Sequence, residues 1–76
     1  MDWRDRIVAD PNVLVGKPVI RGTRIAVEFL VELVAEGWTY DEILRNYTHL
    51  TREDVRAALM HAAELTRLER VYPLSA

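Results

Sequence analysis

The run Gly16-Lys17-Pro18-Val19-Ile20-Arg21-Gly22-Thr23-Arg24-Ile25 constrains the fold more than any other stretch of this chain. Glycine and proline are both costly inside a helix, whereas Gly22 accepts positive φ with no Cβ clash. The run therefore separates a turning, extended front from a helical remainder. It also carries Lys17, Arg21 and Arg24, and no other stretch is both so irregular and so basic.

The rest of the front agrees. Ile7-Val8-Ala9 is a strand candidate, Asp10-Pro11-Asn12 is a turn signal, and Val13-Leu14-Val15 and Val19-Ile20 are β-prone. Arg21-Gly22-Thr23 suits a tight turn, with Arg24-Ile25-Ala26 as a returning strand.

Behind the run the apolar spacing becomes helical. The first helix is predicted from Val27 to Glu36, with Gly37 in the position of a left-handed C-cap. Its apolar arc (Val27, Leu30, Val31 and Val34, widened by Phe29 and Leu33) covers roughly half the circumference. That is wide for a helix with one neighbour. Glu28, Glu32 and Glu36 form an acidic stripe. Thr39-Tyr40-Asp41-Glu42 is a capping box that starts a second, short helix ending near Asn46 or Tyr47. Thr51-Arg52-Glu53-Asp54 repeats that logic and starts a third helix reaching Arg67 or beyond, with Val55, Ala58, Leu59, Ala62 and Leu65 on one face. A short helix, a tight turn at Thr48-His49-Leu50 and a longer helix have helix-turn-helix proportions. The expected organisation is one domain: an extended segment over 1–26, three helices over 27–70, and a flexible tail over 71–76.

Size bounds the answer further. A chain of 76 residues buries a modest core, and with no cysteine it has neither disulfides nor thiolate metal sites. Its 50% hydrophobic content points to apolar surface shared with a partner or a second copy. No apolar stretch approaches the roughly 20 residues of a membrane span, and the charged start lacks a signal-peptide core. A cytoplasmic location is expected. The net charge of -2 is uneven, with a basic front and an acidic back that suggest two different binding surfaces.

At about 100° per residue, Arg52, Arg56, Arg67 and Arg70 fall on one narrow stripe of the third helix. Such a stripe suits phosphates, an acidic partner or plain solvation. Glu53 and Asp54 at the start of that helix would be repelled by phosphate, so the basic N-terminal segment is an equal candidate for DNA. Neither His49 nor His61 forms a metal spacing, and Gly16-Lys17-Pro18 lacks the spacing of a phosphate loop. No enzyme activity, metal or cofactor is expected.

The ten-residue run closely resembles the signature of the family named "domain of unknown function 433". Gly37-Trp38-Thr39, Asp41-Glu42-Ile43-Leu44, Tyr47 and Leu50 through Leu59 follow in that family's order. Two departures stand out: Ala26 where a proline is usual, and Val15 before Gly16 where a Gly-Gly pair is common. Val15 is expected to stiffen the turn. The resemblance implies a mainly α fold, a homeodomain-like helix-turn-helix domain of three helices with a short N-terminal β element. It also implies the antitoxin of a type II toxin–antitoxin pair, which neutralises a ribonuclease toxin with a PIN-like fold and binds promoter DNA as a homodimer. On that reading Lys17, Arg21, Arg24, Arg52 and Arg56 contact DNA. Arg67, Arg70, Tyr72 and Leu74 contact the toxin, and Phe29 and Leu33 form the dimer interface. The alternative is a protein-interaction or dimerisation module that does not bind DNA, with Gly16–Ile25 serving structure alone.

Overall fold

The computed structural model describes residues 2–68. Asp2 caps a 3-10 turn over Trp3–Arg6 that feeds strand β1 (Ile7–Ala9). Strand β2 (Pro18–Ile20) lies antiparallel to it, with Ile7 opposite Ile20, Val8 opposite Val19 and Ala9 opposite Pro18. This register turns Ile20 into the core, where it is almost wholly buried.

Two expectations for the front need correction. Val13-Leu14-Val15 is not extended: Leu14 and Val15 adopt φ of 48° and 56°, and Gly16 follows at 80°. The chain must bring β2 back beside β1, and this left-handed stretch completes the reversal. The tight turn at Arg21-Gly22-Thr23 forms as expected, with Thr23 N donating to Ile20 O at 3.0 Å. The returning strand, however, shrinks to a single bridge between Val19 and Ala26, because a helix begins one residue later.

Helix α1 (Val27–Ala35) starts at Ala26, which offers no side-chain cap. It ends in a Schellman motif: Gly37 N donates to Val34 O and Trp38 N to Leu33 O, both at 3.0 Å, with Gly37 at φ 99°. Helix α2 (Tyr40–Asn46) opens with the expected box, Glu42 N donating to Thr39 Oγ1 at 3.1 Å and Thr39 N to Glu42 Oε1 at 3.0 Å. Helix α3 (Arg52–Leu68) opens the same way, Thr51 N donating to Asp54 Oδ2 at 3.0 Å. Three helices preceded by a two-stranded antiparallel sheet make the domain mainly α.

The core draws on every layer: Ile20 from the sheet, Val27, Leu30 and Leu33 from α1, Ile43 from α2, Leu50 from the turn, Val55 and Ala58 from α3. Each larger aliphatic side chain buried this way contributes on the order of 1.5–3 kcal/mol. Leu33 retains only 7% of its surface, and its side chain packs into the protomer's own core. Phe29 sits on the outer edge of α1 and makes an edge-on contact with Tyr47, ring centroids 5.7 Å apart. No helix among the described residues is long and apolar enough to cross a membrane.

Candidate functional site

The five cations singled out for DNA do not form one patch. Lys17 Nζ donates to Glu28 Oε1 at 2.6 Å, joining the approach to β2 to the first turn of α1. That carboxylate holds the Lys17 ammonium above the usual lysine range. Arg21 Nε donates to the Asp5 carbonyl oxygen at 2.6 Å, while its backbone N–H donates to Arg6 O at 2.7 Å. Arg52 is paired with Asp41 and lies beside the Tyr40 ring. Among the described residues, Arg24 and Arg56 make no ion pair. Arg24 borders a shallow depression beside Asp10, Val13 and Thr23. Arg56 shares one with Trp3, Arg6 and Glu53.

Arg6 links two of these positions. It adjoins Arg21 on one side and Arg56 on the other, and it donates through Nη1 to Asp54 Oδ1 at 3.1 Å. Asp54, read from the sequence as the capping-box carboxylate at the head of α3, is buried at 8% exposure and compensated by Arg6. Arg21 and Arg56 thus line two separate depressions that have Arg6 in common. Lys17, Arg24 and Arg52 occupy three separate places. Of the toxin-contact candidates, Arg67 is exposed on the last described turn of α3. Arg70, Tyr72, Leu74 and the expected tail lie outside the described residues.

A second surface is more concentrated. Between α1 and the second half of α3 runs an open groove of about 390 Å³, lined also by Lys17 and Pro18. Val27, Glu28, Val31 and Glu32 line it from α1, and His61, Ala62 and Leu65 from α3. Leu65 is 51% exposed here. His61 also lines an adjoining depression with Trp3, and the two rings meet edge-on at 6.2 Å. Beyond it, Arg4 Nη2 donates to Glu64 Oε2 at 2.6 Å, and this carboxylate raises the guanidinium's proton affinity.

Sequence reasoning missed the groove as a site. Its signal was the apolar arc of α1, too wide for one neighbour: Leu30 and Leu33 go to the core, and Val31 is left on the wall. Arg6 gave no signal, because its partner lies 48 positions away.

The class that these features define is a small, mainly helical domain with an N-terminal antiparallel hairpin, and surface features suited to contact. The chain belongs to the family described as "Protein of unknown function (DUF433)", whose model matches residues 7–62. It is 34% identical over 59 residues to the uncharacterized protein y4eO of Sinorhizobium fredii, covering 78% of this chain and 27% of that protein. Its fold matches the crystal structure of a DUF433 member protein from Anabaena variabilis, with a TM-score of 0.77 and 36% identity over 84% of this chain and 63% of that one. The chain thus spans under two thirds of the length of each of these relatives.

Proposed function

We propose that this chain is the antitoxin of a type II pair: it neutralises a PIN-like ribonuclease and, as a homodimer, binds the promoter of its own operon. The observation that carries the reading is the open groove between α1 and α3. A small domain that keeps an apolar trough and a half-exposed Leu65 beside it has surface suited to a protein partner. The DNA arm of the proposal rests on Arg21, Arg24 and Arg56, since Lys17 and Arg52 are engaged by carboxylates.

Co-expression tests the first arm. A small nuclease-like reading frame beside the gene should arrest growth alone, and this chain should restore growth and co-purify with the nuclease. Restored growth without a complex, or no restoration, sinks the reading. A mobility-shift assay on the upstream promoter tests the second arm. The pairing of Lys17 and Arg52 favours the second reading, an interaction module that binds no DNA, and an unshifted promoter fragment with an intact nuclease complex would establish it.

A further inference from the structure

We infer that the α1–α3 groove receives an amphipathic helical segment of the partner protein, anchored by aliphatic side chains and flanked by lysine or arginine. This rests on the reading that the chain holds a protein partner, and it adds the chemistry of the part held.

Charge complementarity selects the occupant. The α1 bank carries Glu28 and Glu32, one turn apart, and α1 contains no cation. Only Glu28 is matched among the described residues, by Lys17. On the far side Glu64 is matched by Arg4. Glu32 therefore stands exposed beside Glu28 and the apolar trough, with no ion pair of its own among the described residues. An occupant with acidic flanks would set like charges against it, whereas one with basic flanks supplies the missing counter-charge. The trough walls are two helices, and its volume falls within the range of recognised binding clefts. A groove of this kind accepts a helix that projects apolar anchors at i, i+4 and i+7. Val31, Ala62 and Leu65 would meet those anchors.

The test uses two synthetic amphipathic peptides that share leucines at i, i+4 and i+7, one flanked by lysines and its twin by glutamates. Each is titrated into the isotopically labelled chain and followed by amide chemical shifts. The lysine peptide should perturb Val31, Ala62 and Leu65 in saturable fashion, and the glutamate twin should bind about tenfold more weakly. Glu32→Lys should reverse that preference. Leu65→Asp should abolish binding while the spectrum stays dispersed, since Leu65 is half-exposed.

Several results overturn the inference: no binding by the lysine peptide, equal binding of the twins, or perturbations confined to the Phe29 side of α1. Shifts at the groove on diluting the chain alone would assign it to a second copy. Peptide binding that requires removal of residues 69–76 would assign it to the chain's own last residues. The nuclease separates this inference from the reading it rests on. If Leu65→Asp and Glu32→Lys inhibit the nuclease like the native chain, the groove assignment fails and the antitoxin reading stands. If the peptides bind as stated and the nuclease is never inhibited, the antitoxin reading fails and the groove assignment stands.

Discussion

Arg6 and Asp54 join the end of the N-terminal turn to the first turn of α3: Arg6 Nη1 donates to Asp54 Oδ1 at 3.1 Å. The other carboxylate oxygen of Asp54 accepts from Thr51 N at 3.0 Å, so one side chain closes the helix start and anchors the front of the chain. Asp54→Ala removes both and leaves Arg6 half-buried without a partner. The expected loss is about 2–3 kcal/mol, and Arg6→Ala, which leaves the buried Asp54 carboxylate without its counter-charge, should cost a comparable amount, about 2 kcal/mol. Urea denaturation of both variants and the double variant should give a coupling of about 1 kcal/mol. Strict additivity would show that the two residues act independently.

Val15 is 94% exposed at φ 56°. A β-branched residue in the left-handed region costs on the order of 1–2 kcal/mol, while glycine adds roughly 0.5–1 kcal/mol of unfolded-state entropy. The strain exceeds the entropy, so Val15→Gly should raise stability by about 0.5–1 kcal/mol, read as an increase in Tm. An unchanged or lower Tm would mean that the turn holds no strain.

Arg21 and Arg24 belong to the same run and should behave differently. Arg21 holds the Asp5 carbonyl, so Arg21→Ala should lower stability by about 1 kcal/mol. Arg24→Ala should leave thermal unfolding unchanged. If promoter DNA is bound, Arg24→Ala should also flatten the salt dependence of binding by about one counterion. A Tm drop for Arg24→Ala equal to that for Arg21→Ala would contradict this division.

Glu42 carries a pH dependence. The backbone hydrogen bond from Thr39 holds its carboxyl below the usual glutamate range. A depressed folded value means the ionised form stabilises the fold. That contribution is full above the unfolded value and disappears as the pH falls through the folded one. Glu42→Gln should therefore be less stable than the native chain at neutral pH, and the two should converge on acidification. Parallel curves down to the acid end, measured by denaturant unfolding at stepped pH, would exclude this source.

The helices were legible because their ends are written locally. Thr39 with Glu42, Thr51 with Asp54, and Gly37 each act within a few positions of themselves, and each forms as expected. Strand β1 and the turn at Gly22 were legible for the same reason. The Leu14–Val15 conformation was not, because residues that favour extended backbone are overruled by the β1–β2 register. Resemblance marked Val15 as a departure from a Gly-Gly pair, and its φ shows why glycine suits the position. The basic run looked like a single site. In three dimensions Lys17, Arg21 and Arg24 diverge, because the turn and hairpin point them to different neighbours. The groove needs α1 and α3 side by side, which no local spacing encodes.

The two capping boxes bracket α2, and Ile43 is the one buried side chain within that helix. Each flanking helix closes the end nearer α2 with its own motif: α1 through its Schellman motif, α3 through Thr51 and Asp54. The segment from Thr39 to Leu50 is nonetheless tied to both through Ile43 and Leu50, which are buried in the common core, so its amides should exchange with that core and not ahead of it.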